Sequence, residues 1–233
     1  MTDSNPYQTP ESHLQQPQVT SSTIDPDWTI ETILKDAWQL VSGAKASFWG
    51  AFLIYLAIAV AISIPFELIG KDSVSMGLLS QIVVGLVSYP LYAGIMMMAL
   101  KRSVNAPVNA FMVFDYYSKT IPIFLLNFLM MILIMIGLVL LVIPGIYLAV
   151  AYSTALPLMV EKNMGLWEAL ETSRKAISKR WFSVFALYLI MVVILMISTI
   201  PLGIGLIWTL PFSMLVIGVL YRNIFGIEPG TVQ

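Results

Sequence analysis

From Phe48 onward the chain alternates long apolar runs with short polar clusters. Six apolar segments stand out, at 48–66, 75–100, 120–143, 145–160, 181–200 and 204–223. A helix needs roughly 20 residues to cross a hydrocarbon core ~30 Å thick. Five segments meet that length. The run 145–160 is short; either its polar flanks and Tyr147 extend it or the bilayer thins locally. Three further stretches show helical amphipathicity. After Asp27, a suitable N-cap, Ile30, Ile33, Leu34, Ala37, Trp38 and Val41 recur at helical spacing, with Glu31, Lys35, Asp36, Gln39 and Ser42 opposite. The stretch 107–118 carries Phe111, Phe114 and Tyr117. The stretch 164–180 places Met164, Trp167, Leu170 and Ile177 on one face and crowds Arg174, Lys175, Lys179 and Arg180 at its end. These predict helices 28–45, 107–118 and 164–180 at a membrane surface. For 28–45, packing on the protein's own spans fits the pattern equally.

The predicted fold class is therefore all-α: a polytopic transmembrane helical bundle of about six spans plus inner-surface amphipathic helices. It forms one membrane domain over 28–225, with tails at 1–27 and 226–233. Composition agrees, since 58% of the 233 residues are hydrophobic and 11% charged, against roughly 45–50% and 25% in soluble domains. Residues 1–27 are rich in Gln, Pro, Ser and Thr and contain no Lys or Arg. They lack the basic and apolar regions of a signal peptide. Their small apolar surface predicts a disordered cytoplasmic tail, in which the single histidine, His13, is solvated.

Charge sets the orientation. With six spans and both termini inside, eleven of the twelve Lys and Arg residues fall on the inner side and only Lys71 outside. That asymmetry is the positive-inside pattern and predicts a multi-pass membrane protein with both termini on the cytoplasmic side. A rival arrangement leaves the count unchanged: 120–160 and 181–221 as re-entrant hairpins turning at Pro144-Gly145 and Pro201-Leu202-Gly203. Forty-one residues suit two full crossings better.

An internal repeat is faint. Phe48-Trp49-Gly50-Ala51-Phe52-Leu53-Ile54-Tyr55-Leu56 matches Trp181-Phe182-Ser183-Val184-Phe185-Ala186-Leu187-Tyr188-Leu189, and Ile121-Pro122 with Leu125, Phe128 and Leu129 forms a weaker copy. The even-numbered spans each carry a proline near a hydroxyl: Ser88 and Pro90, Thr154 and Pro157, Thr209 and Pro211. We expect three parallel units, each a surface helix, an outgoing span and a proline-bearing returning span. A proline frees a carbonyl that the hydroxyl can re-satisfy. Pro90, Pro144, Gly145, Pro157 and Pro211 are thus candidate hinge or crevice positions, or simply set helix tilt. Gly145, Ala149 and Ser153 give the fourth span a smooth face for close contact.

Candidate chemistry is sparse. No cysteine is present, which excludes disulfides and thiolate sites. No charge falls at mid-depth of any span, where charges mark function. Gln81 and Asn127 are the amides within spans, suited to interhelical hydrogen bonds. No catalytic, cofactor-binding or metal residue is assigned, and no nucleic-acid partner is expected. The candidate contact is with anionic membrane lipid through Arg174, Lys175, Lys179 and Arg180, each cation contributing ~1 kcal/mol near the leaflet; ordinary topology-setting charge explains the same residues. Further partners would be a membrane protein or a second copy.

Ile143-Pro144-Gly145-Ile146-Tyr147, then Pro157-Leu158, then Gly165-Leu166-Trp167-Glu168-Ala169-Leu170 with Ser173 and the basic cluster resemble bacterial YciC-like membrane proteins. The membrane domain attached to some glycerophosphodiester phosphodiesterases is similar. The resemblance, over roughly 28–225, implies an inner-membrane protein of about six spans. The phosphodiesterase's catalytic domain has no counterpart here, so nothing catalytic carries over. The expected role is a non-enzymatic membrane-organising, lipid-contacting or partner-binding scaffold. The alternative is a transporter or channel for an apolar or lipid-like substrate through the proline crevice.

Overall fold

A computed structural model of the chain describes residues 24–69 and 73–232. Most of the tail expected at 1–27, with His13, and the loop position Lys71 lie outside the described residues. Those described form ten α-helices and no strand: α1 Ile30–Val41, α2 Lys45–Ile69, α3 Val74–Ser103, α4 Thr120–Leu140, α5 Val142–Ala151, α6 Ala155–Glu161, α7 Leu166–Ser178, α8 Trp181–Thr199, α9 Leu206–Phe225 and α10 Pro229–Val232. Six stretches are long and apolar enough to cross a bilayer: α2, α3, Ala110–Leu140, Val142–Glu161, α8 and α9.

Local chemistry sets the ends of these elements. The Thr29 hydroxyl accepts the Thr32 N–H and the Thr32 hydroxyl accepts that of Thr29, a reciprocal cap that starts α1. Ser42 is extended and Gly43 has φ +83°, so the chain turns and restarts as α2.

Two expected elements differ. The stretch 107–118 is not an α-helix but two 3-10 turns, Ala110–Phe114 and Tyr117–Lys119. Pro107 precedes it, and the Asn109 side chain caps only the short first turn by accepting the Phe111 N–H. The fourth crossing starts earlier and is broken. The reversal after α4 falls at Leu141, which is extended (φ −159°), rather than at Pro144-Gly145. Pro144 sits in the first turn of α5, where no amide donor is required. The crossing then runs over 20 residues, Val142–Glu161, which removes the length deficit, but is interrupted at Tyr152–Thr154. There the Ser173 hydroxyl of α7 donates to the Ala151 carbonyl and pairs with Thr154 at 2.8 Å.

The three expected units close into a ring. Each surface segment packs on the returning span of the preceding unit: α1 on α9, the 3-10 segment on α3, and α7 on α6 and α5. Each outgoing span also touches that same returning span, α2 on α9, α4 on α3, and α8 on α5. One aromatic donor crosses each junction. Trp49 Nε1 donates to the Ile207 carbonyl (3.0 Å), Tyr117 Oη to that of Val87 (3.0 Å), and Trp181 Nε1 to that of Tyr147 (3.3 Å). Ile207 lies four residues before Pro211, so the Trp49 indole satisfies the carbonyl that this proline releases; Val87 lies three before Pro90, one residue past the carbonyl that Pro90 frees. Ser88 does not perform that task; its hydroxyl has no partner. Asn127 likewise bonds within its own helix, to the Ile123 carbonyl. The matched sequence fragments adopt matched packing, with Phe48 against Phe52 and Trp181 against Phe185.

Burial follows the same division. The most apolar window is 0% buried in α2, 17% in the α4 stretch and 22% in α8, against 61% in α3 and 56% in both Val142–Glu161 and α9. Outgoing spans face lipid and returning spans form the core. Glycines permit the closest approaches. A Cβ at Gly218 would lie 2.4 Å from the Ala99 carbonyl oxygen, and one at Gly94 2.5 Å from the Val113 Cα. From the Gly218–Ala99 contact, α3 continues about 20 Å further outward than α9 does, at 1.5 Å per residue. The α8–α9 tip is apolar throughout Ile200–Gly205, with Leu202 97% exposed, and suits hydrocarbon.

Two outcomes follow. Gly94→Val should abolish monodisperse protein in detergent, since over-packing against a fixed backbone costs about 1–3 kcal/mol or more; Gly77→Val, with nothing near its Cβ, should behave as wild type on size exclusion. A charged maleimide should label Ser73→Cys in intact membranes and leave Leu202→Cys unlabelled; equal labelling would show hairpins of equal reach.

Candidate functional site

The polar chemistry of the described residues concentrates at one end of the bundle, where α1, α7 and the ends of α3, α6 and α9 meet. Three arginines fix this layer. Arg102 Nε and Nη2 donate to the Leu40 and Ser42 carbonyls (3.2 and 2.9 Å), capping the C-terminus of α1. Arg222 bridges α9 to Asp36 (2.8 Å) and to the Ser103 carbonyl of α3. Arg180 lies over the Trp28 ring, 4.2 Å from its centroid, and donates to the Trp28 and Pro26 carbonyls. Helix α1 is thereby latched on the bundle with Ile33, Ala37, Leu40 and Val41 buried, the packing alternative of its two readings. Its outward face leaves Trp38 53% exposed.

The four predicted lipid-contacting residues do not act alike. Arg174 forks onto Glu171 through Nε and Nη2 (2.8 and 2.7 Å), with Lys175 at 3.4 Å. Arg174 holds the Glu171 carboxyl down at about 2, so the pairing is complete above the ordinary carboxylate range and is lost only as pH falls toward 2. Arg180 is committed to Trp28. Lys175 and Lys179 remain exposed. Lys179 and Arg180 border a cleft of about 260 Å³ lined also by Ile24, Ile177, Val184 and Ile224. On the apolar face of α7, Leu170 and Ile177 are buried as expected, but Trp167 is 64% exposed.

The hinge candidates separate too. Pro90, Pro157 and Pro211 are buried within the core, Pro157 in the first turn of α6. Pro144 is exposed at the far end of α5. Gly145 serves close packing, with its Cα 2.9 Å from a Cβ built on Gly137.

Sequence reasoning missed Glu161, which directly follows the fourth apolar run. Its side chain is wholly buried. Oε2 accepts the Tyr221 hydroxyl (2.7 Å), and Oε1 accepts the Glu228 N–H (2.7 Å) and the Thr231 hydroxyl (3.2 Å). Lys162 Nζ lies 3.7 Å away. This carboxylate ties the segment 226–232 across the end of α6. The adjoining cleft, about 360 Å³, is lined by Lys101, Tyr116, Asn163 and Thr231. An acid directly after an apolar run and beside Lys162 was the available signal. No metal-ligating cluster occurs among the described residues.

No family model, curated protein or solved structure matches the chain.

Removing Glu161 leaves the buried Tyr221 hydroxyl and two part-buried donors, the Glu228 N–H and the Thr231 hydroxyl, unpaired, so Glu161→Ala should lower the apparent Tm in detergent, each lost bond to the charged carboxylate being worth ~1.5–3 kcal/mol. Glu171→Ala, at an exposed pair, should leave Tm almost unchanged. Equal effects would contradict the assignment of Glu161 as the anchor.

Proposed function

We propose that this protein is a non-enzymatic, lipid-contacting scaffold of a bacterial cytoplasmic membrane, multi-pass, with its termini cytoplasmic. The YciC-like motif pattern and the charge asymmetry support that placement. One structural observation carries the lipid-contacting role. Each inner-layer segment exposes aromatic surface: Trp38 on α1, Phe111 (72% exposed) and Phe114 on the 3-10 segment, and Trp167 on α7. Aromatic rings prefer the headgroup level, and Lys175 and Lys179 add cations beside Trp167, suited to anionic headgroups. The inner-layer segments thus present aromatic rings to lipid, while the three arginines hold α1 and the segment before it on the bundle. Against the alternative of an apolar substrate passing between kinked spans stands the Gly218–Ala99 contact, which leaves no gap between α3 and α9 at that level.

The test is flotation of purified protein-containing nanodiscs or micelles against anionic phosphatidylglycerol vesicles. Lys175→Gln with Lys179→Gln should weaken capture roughly thirtyfold, from two charges at ~1 kcal/mol each, with Tm unchanged. Unaltered capture would remove the anionic-lipid part of the proposal. A phosphatase reporter fused after Gln233 should be inactive in intact cells; activity there would invert the orientation.

A further inference from the structure

The cleft that Lys179 and Arg180 border is built from three stretches far apart in the chain: 24–28, the turn from α7 into α8, and the inner end of α9. Hydrogen bonds to backbone fix its walls. The Asp25 N–H donates to the Asn223 carbonyl (3.0 Å), and Arg180 Nη1 donates to the Pro26 and Trp28 carbonyls (3.2 and 2.7 Å). Nη1 alone carries both Arg180 bonds. The other edge, Nε and Nη2, is a fork suited to gripping a phosphate through two parallel bonds, and it has no partner among the described residues. Lys179 is exposed and takes no part in the Glu171 pairs that hold Arg174 and Lys175. Against these two cations the lining presents one carboxylate, Asp25, which accepts the Asp27 N–H (3.0 Å).

Ile24, Ile177, Val184 and Ile224 give the same cleft an apolar side. Cations beside apolar surface suit an amphiphile with an anionic head; a bare ion or a neutral lipid would use only one half. The volume, about 260 Å³, falls just below the roughly 300–1,000 Å³ of sites for drug-sized ligands, so it takes a headgroup and not a whole lipid. Acyl chains have a surface to follow. Helix α8 starts beside the cleft and leaves Phe182, Leu189 and Val193 exposed on a span whose apolar window is 22% buried. We propose that this cleft is a saturable site for one inner-leaflet anionic phospholipid. Lys179 and the free edge of Arg180 hold the phosphate, and the isoleucines and Val184 meet the glycerol and first methylenes. The walls are in place without the lipid, so little ordering opposes binding. The inference rests on the lipid-contacting role and narrows it from a charged surface to one held molecule.

Native mass spectrometry of the full chain in detergent, titrated with phosphatidylglycerol, phosphatidylcholine or glycerol phosphate, tests this. One phosphatidylglycerol should bind about tenfold more tightly than a second, and about tenfold more tightly than phosphatidylcholine, whose choline cation offsets the phosphate. Glycerol phosphate, which has no chains, should bind at least about tenfold more weakly. Lys179→Gln should weaken the first phosphatidylglycerol about fivefold. Ile24→Trp, at a position 58% exposed, should fill the cleft and weaken it about tenfold, with Ile224→Trp as a second filling variant. Lys35→Gln, which removes an exposed cation outside the cleft, should change nothing. Equal binding of phosphatidylcholine, undiminished binding in a folded tryptophan variant, or equal losses from Lys35→Gln and Lys179→Gln overturns the proposal. Glycerol phosphate binding as tightly as the lipid overturns the part assigned to the apolar side. Vesicle capture by a protein that retains no single lipid contradicts the cleft alone; absence of both contradicts the lipid-contacting role itself.

Discussion

Every carbonyl within an apolar bundle needs a donor from the protein, and this need governs how the chain closes on itself. Pro211 breaks the hydrogen-bond ladder of one returning span, and the missing donor arrives from a neighbouring unit as the Trp49 indole, while the Tyr117 phenol adds a donor to another beside Pro90. Trp181 makes the third connection. These bonds run in one direction around three units, so each unit is completed by the next. Gly218 then admits the contact that draws two returning spans, α9 and α3, together, and Gly94 the contact of α3 with the 3-10 segment.

The charged end of the molecule is built on the same logic. Arg102, Arg180 and Arg222 spend their donors on backbone carbonyls, on Asp36 and on the Trp28 ring. What sequence presents as one basic cluster divides: Arg180 holds Trp28, Arg174 pairs with Glu171 within α7, and Lys175 and Lys179 face outward. Trp38, Lys175 and Lys179 are therefore presented on helices that these contacts tie to the bundle.

Much of this was legible in the sequence. Six crossings, three amphipathic segments and the threefold order follow from run length, helical spacing and aromatic matches, because a bilayer fixes helix length. The 3-10 character of 110–119 was not legible, since Phe111, Phe114 and Tyr117 satisfy an α-helical pattern as well as a shorter turn. The break at Tyr152–Thr154 was hidden because its partner, Ser173, lies 19 or more residues away in sequence. The anchoring role of Glu161 was hidden for the same reason: its donors come from Tyr221, Glu228 and Thr231. Spacing reports on a helix face, and it carries no information about which distant element covers that face.

Closure of the three units is tested most directly by crosslinking across each junction in this cysteine-free chain. Short bifunctional thiol reagents would be applied to Ser47→Cys with Val108→Cys, Thr154→Cys with Ser173→Cys, and Asp36→Cys with Arg222→Cys, pairs in contact in the structure. The account predicts that all three pairs crosslink within single chains in native membranes. Crosslinking at two junctions with none at the third would contradict it, because the units would then form an open row.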